Sequence, residues 1–134
     1  MTGKLVYLDS SAIVKLIVPE PETPALMAFL ARWPERVSSA LARAEVLRAV
    51  RRIRASAATR RRAHRVLRHL ALIRIDERVL AMAGRVGPPD LRTLDALHLA
   101  TARTLDHDLG GIVTYDGRLG GAARRSRLRV WAPS

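Results

Sequence analysis

The apolar positions of the chain change period repeatedly, and the changes mark alternating strands and helices. Leu5-Val6-Tyr7-Leu8 is a continuous apolar run that stops at Asp9-Ser10-Ser11, the pattern of a buried strand followed by helix-capping residues. Ile13, Leu16 and Ile17 then recur at helical spacing until Pro19 and Pro21 interrupt them. A second helix begins near Thr23, sets Leu26, Met27, Leu30 and Trp33 on one side, and ends before Pro34. Val37-Ser38-Ser39 reads as a weak strand. In the next helix Val46, Val50 and Ile53 share the inner face with Leu47 at its edge, and Glu45, Arg48 and Arg52 gather opposite. A further helix turns Ala63, Val66, Leu67 and Leu70 inward and Arg61, Arg65 and Arg68 outward.

Ile73-Arg74-Ile75 alternates like a strand. Asp76 is placed to cap a helix carrying Val79, Leu80, Ala83 and Val86, which Gly87-Pro88-Pro89 stops. Thr93 is placed to cap a helix with Leu94, Leu97, Ala100 and Thr101 that runs to about Leu105. His107 to Gly111 reads as a loop, and Ile112-Val113-Thr114-Tyr115 as a strand that halts at Asp116-Gly117. A short helix and a last strand around Val130-Trp131 follow. Strands alternating with helices predict a three-layer α/β/α fold with a central, mostly parallel sheet. No repeat, linker or low-complexity segment divides residues 1–134, so a single domain is expected.

The 134 residues suffice for a core without disulfides, and there is no cysteine. Disulfide scaffolds, zinc ribbons and thiol nucleophiles are therefore excluded. No apolar run approaches the roughly 20 residues that cross a bilayer, and Asp9 comes too early for a signal-peptide core. The expectation is a cytoplasmic protein without a membrane partner.

Charge changes the picture more than hydropathy does. Lys and Arg number 24 against 12 Asp and Glu, a net charge of +12. Only Lys4 and Lys15 are lysines, and ten of the arginines fall between Arg43 and Arg68. Such a field attracts polyanions, because neutralising phosphates releases their counterions. Aromatic residues are few (Tyr7, Phe29, Trp33, Tyr115, Trp131), which favours backbone contact over base stacking.

Four acids stand where elements begin or end. Asp9 and Asp116 directly follow two apolar strands, at the ends where open parallel sheets form ligand crevices. Carboxylates facing each other there repel unless a cation neutralises them, and a divalent metal is the natural occupant. Asp95 lies in the first turn of a helix and Glu45 on a polar helix face. Each also has an ordinary structural use: Asp9 as a helix cap, Asp116-Gly117 as a turn pair, Asp95 as a dipole partner, Glu45 as a surface pair with Arg48.

The segments around these acids resemble the PIN-domain superfamily, and within it the VapC-type toxin ribonucleases of bacterial toxin–antitoxin pairs. The likeness is carried by Leu8-Asp9-Ser10-Ser11-Ala12-Ile13-Val14-Lys15-Leu16, by Ala44-Glu45-Val46-Leu47-Arg48-Ala49, by Leu91 to Ala102 around Asp95, and by Val113-Thr114-Tyr115-Asp116 with Leu119 following. The resemblance implies a five-stranded parallel sheet with Asp9, Glu45, Asp95 and Asp116 binding Mg²⁺ or Mn²⁺ at one end. It implies ordering roles for Thr114 and Ser10 and endonucleolytic cleavage of RNA. It further implies an antitoxin held at the N-terminal helices and reaching the acidic pocket, and a homodimer or a toxin–antitoxin hetero-oligomer. Hard carboxylate oxygens suit Mg²⁺ or Mn²⁺, which activate water for phosphodiester hydrolysis.

Arg48 and Arg52 share the helix face of Glu45 and are candidates to hold substrate phosphates. His98, one turn after Asp95, reads as a structural or supporting histidine rather than a general base. Two alternatives stay open: an RNA-processing nuclease without an antitoxin, and a module that grips RNA without cutting it.

Overall fold

The computed structural model describes residues 3–134. Five strands, β1 (Leu5–Leu8), β2 (Glu35–Ser39), β3 (Ala71–Ile73), β4 (Leu109–Val113) and β5 (Val130–Trp131), form one sheet in the order β3-β2-β1-β4-β5. Every neighbouring pair is parallel. β1 is central and reads as an unbroken apolar run because both faces of the sheet are covered. Its side chains alternate between two cores. Val6 and Leu8 pack with Ile13, Ile17, Leu26 and Val46, while Tyr7 packs with Leu99, Ile112 and Leu119.

On the first face lie α1 (Ser10–Ile17), α2 (Thr23–Leu30), α3 (Leu41–Arg52) and α4 (Ala57–Arg68); on the second lie α5 (Glu77–Ala83), α6 (Thr93–Arg103) and α7 (Gly117–Arg125). This is the three-layer α/β/α arrangement, with a sheet that is parallel throughout.

Several local expectations are corrected. Ile53 is 56% exposed, because α3 ends at Arg52 and the chain turns through Arg54 at φ 53°. Leu80 faces solvent, 49% exposed, on a helix that stops at Ala83 and so does not reach Val86. β3 starts at Ala71 and is over by Ile73. Arg92, not Thr93, occupies the cap position of α6, and no side chain caps it.

The largest difference is β4. Leu109, Gly110 and Gly111 belong to the strand rather than a loop, and it stops before Thr114. The two glycines are packing devices. A Cβ on Gly110 would collide with the Trp33 ring, and one on Gly111 with that of Trp131. Those rings cluster with Phe29, which stacks on Trp33 while Trp131 lies tilted against both.

Candidate active site

With all strands parallel, their C-terminal ends share one edge, and the strand order reverses at β1 with β2 on one side and β4 on the other. A crevice opens at such a switch point. Leu8 pairs with Val113, so the residues leaving β1 and β4 emerge side by side.

Asp9 leaves β1, caps α1 and is buried, only 4% exposed. Its Oδ1 accepts from the Ala12 N–H at 3.1 Å and from the Ser11 hydroxyl at 2.6 Å. Its Oδ2 accepts from the Thr114 hydroxyl at 2.6 Å. The Thr114 oxygen in turn accepts from the Asp116 N–H at 3.0 Å, so one buried threonine ties the two strand-end acids together. Asp116 caps α7, its Oδ1 accepting from the N–H groups of Arg118 and Leu119.

Burial pushes the Asp9 carboxyl above the ordinary aspartate range, against the pull of bonds from Ser11, Thr114 and Ala12. Asp95 is raised as well, by burial first and then by the negative charges of Asp116 and Asp9, partly offset by His98 and Arg92. Among the described residues no lysine or arginine pairs with Asp9, Glu45, Asp95 or Asp116, although the chain carries 24 such cations. Glu45 alone of the four has a basic partner, His98. Among the described residues no three acidic or histidine side chains already stand close enough to enclose a metal ion.

Glu45 does not form the surface pair with Arg48 that its spacing suggests. It is half-buried, and its Oε1 accepts from the Ser10 hydroxyl at 2.5 Å and pairs with His98 Nε2 at 2.7 Å. Burial would raise its carboxyl, but the bonds from His98 and Ser10 and the charge of His98 outweigh it, and the net shift is downward. Ser10 therefore serves Glu45, while Ser11 serves Asp9 and accepts from the Tyr115 N–H at 3.0 Å. Ser11 and Tyr7 are the contributors that sequence reasoning misses. Ser11 had a signal, a hydroxyl two residues after a capping acid; Tyr7, hidden in a strand, had none.

Arg48 and Arg52 line a cleft of about 500 Å³ that begins at Glu45 and extends past Val14, Ala49 and Leu94 to Tyr115. Neither arginine is paired with a described acid. The cleft's lysine, Lys15, is held by Glu20 and Glu22 at 3.0 Å each. A second groove, also about 500 Å³, runs between α1, α2 and α4, with Leu16, Met27, Leu30 and Val66 among its walls and Arg36, Arg62 and Arg65 around them.

The sequence matches the PIN domain family model over residues 6–124. The chain belongs to the PIN domain family. It is 54% identical over 129 residues to Ribonuclease VapC46 of Mycobacterium tuberculosis, covering 96% of this chain and 98% of the relative. It is 38% identical over 119 residues to Ribonuclease VapC47 of the same species, covering 86% and 87%. A solved toxin–antitoxin complex from Klebsiella pneumoniae superimposes with a TM-score of 0.70 over 96% of this chain and 98% of that chain, at 19% identity; it shares the fold.

Proposed function

We propose that this PIN domain is an endoribonuclease dependent on Mg²⁺ or Mn²⁺, acting in the cytoplasm as the toxin of a toxin–antitoxin pair. The observation that carries the reading is the set of acids at the switch point, unpaired with any lysine or arginine, in a chain 54% identical to a named ribonuclease. The donor set fits a hard divalent ion: carboxylate oxygens, no thiolate, and two acids, Asp9 and Asp95, whose charges are disfavoured without a cation.

Asp9, Asp95 and Asp116 would hold the ion, with Glu45 beside them as a further ligand or as the group that orients the attacking water. When bound, the metal supplies an activated water and neutralises charge on the phosphate. The protein's own contribution is fixed geometry. Ser11 and Thr114 hold Asp9, Thr114 and the α7 amides hold Asp116, and Ser10 and His98 hold Glu45. Arg48 and Arg52 would grip phosphates of the strand beside the scissile bond.

The groove between α1, α2 and α4 suits a helix with an apolar face and acidic flanks, the form in which a protein antitoxin would dock. The same proposal includes assembly, as a homodimer or as a toxin–antitoxin hetero-oligomer. The test of the central reading is Asp9→Asn, assayed for RNA cleavage with Mg²⁺ present and the cut ends mapped by sequencing. Cleavage should be abolished; undiminished cleavage refutes the assignment.

A further inference from the structure

The cleft that begins at Glu45 has apolar walls that a purely ionic site would not need. Val14 of α1, Ala49 of α3 and Leu94 of α6 line it together with Tyr115. Leu94 stands directly before Asp95 in the chain and is 48% exposed. A single exposed leucine is ordinary. One that shares a cleft with other apolar side chains and with Glu45 marks a surface kept for a ligand.

The polar groups of the cleft narrow the choice of ligand. Ser10 gives its proton to Glu45, while Ser11 gives its own to Asp9 and accepts from the Tyr115 N–H. Glu45 is also held by His98, whose other ring nitrogen lies 2.7 Å from the Tyr7 hydroxyl. The Lys15 ammonium sits 3.0 Å from both Glu20 and Glu22 and 4.6 Å from the centre of the Tyr115 ring. Both acids of the cleft, Glu20 and Glu45, are therefore already bonded, and so is its lysine. Arg48 and Arg52 are exposed and keep a charge that no described acid takes up. The complementary ligand is anionic on one side and flat and apolar on another. A nucleotide has that form, with phosphates for the arginines and base faces for the hydrocarbon.

We propose that this cleft is the subsite for the nucleobase beside the scissile phosphate, with Val14, Ala49 and Leu94 as its walls. Continuity with Glu45 fixes the register, because a strand whose phosphate lies at the acids carries a flanking base into the cleft. The base is held by its faces rather than read by its edges, since the hydroxyl protons of Ser10 and Ser11 are committed to carboxylates. The subsite rests on the reading of the acids as a nuclease site and adds the side chains that position the strand there.

Fluorescence anisotropy tests it, using the full chain and a single-stranded RNA that it binds, centred on the mapped cut where there is one, with divalent ions chelated. Removing one base at a time, leaving sugar and phosphate, should weaken binding about 5- to 100-fold at one position and little elsewhere. A nonpolar isostere of that base should restore most of the loss. Leu94→Ser removes apolar wall at an exposed position; it should weaken binding of intact RNA and make the missing base nearly silent. Ala49→Leu fills the cleft instead and suits a helix, and it should do the same. Leu80→Ser, at an equally exposed leucine of α5 outside the cleft, should change neither.

Binding that responds alike to every missing base overturns the proposal. So does one sensitive position that stays as sensitive in Leu94→Ser and Ala49→Leu as in the wild type. Failure of the nuclease reading looks different. RNA that stays uncut with Mg²⁺ present, yet has one base position sensitive in the wild type and silent in Leu94→Ser, leaves the subsite standing and removes the catalytic role of the acids.

Discussion

Thr114→Val isolates the side chain that joins the two strand-end acids, because valine keeps the shape and β-branching of threonine and deletes only the hydroxyl. Two bonds disappear with it. The hydroxyl's donation to Asp9 at 2.6 Å is a bond to a buried, ionised carboxylate, a type worth about 1.5–3 kcal/mol. Its acceptance from the Asp116 N–H at 3.0 Å is a neutral bond worth about 1 kcal/mol. No cavity forms, so the sum, about 3 kcal/mol, is electrostatic in origin. With a urea m-value of about 2 kcal/mol/M the unfolding midpoint should fall by about 1.5 M.

The sign of the pH dependence checks the cause. The bond favours the ionised form of Asp9, so removing it raises a folded-state pKa that already lies above the ordinary range. In that window the folded chain binds more protons than the unfolded one, and stability falls as pH rises. The gap between wild type and variant should therefore be full at neutral pH and narrow, as pH falls to the ordinary aspartate range, toward the roughly 1 kcal/mol of the neutral Asp116 bond. Thr114→Ser, which keeps the hydroxyl, should show neither effect. A midpoint shift under about 0.3 M, or a gap that is constant with pH, refutes the reasoning.

Other consequences are open to simpler measurements. Folded-state carboxyls raised at Asp9 and Asp95 mean that metal-free protein loses stability as pH rises above the ordinary aspartate range. Mg²⁺ should accordingly raise the Tm at pH 7.5 and leave it unchanged near pH 4, and Asp95→Asn should reduce the Mg²⁺ increment, all by thermal melts. Replacing both Arg48 and Arg52 with Ala should flatten the log Kd against log salt plot for single-stranded RNA by about 1.4, some 0.7 for each phosphate no longer neutralised; an unchanged slope removes these arginines from the interface. Gly110→Ala forces a methyl group into the Trp33 ring and should destabilise the chain by about 1–3 kcal/mol in urea melts without altering metal binding.

What the sequence makes legible is what each residue does to its near neighbours. The period of the apolar positions finds the five strands and seven helices of the described chain because that period is set within one element. Asp9, Asp116 and Asp95 stand out for the same reason, each opening a helix where local electrostatics favours an acid. The misreadings at the glycines of β4 and at Glu45 are failures of distance. Glycine ordinarily weakens a strand, so Gly110-Gly111 reads as loop until Trp33 and Trp131 arrive from elsewhere and require the space.

Spacing pairs Glu45 with Arg48, three residues on, while its actual partner His98 is 53 residues away and Tyr7 lies 91 residues from that histidine. Ser10 and Ser11 look equivalent beside Asp9. A helix turns about 100° per residue, so neighbouring side chains leave in different directions, one to Glu45 and the other to Asp9. The acids of this site could be picked out singly from the chain, but the bonds that aim them join β1, α1, α3, α6 and the exit of β4. No one of those segments contains the information, since it exists only where the parallel sheet brings their ends together.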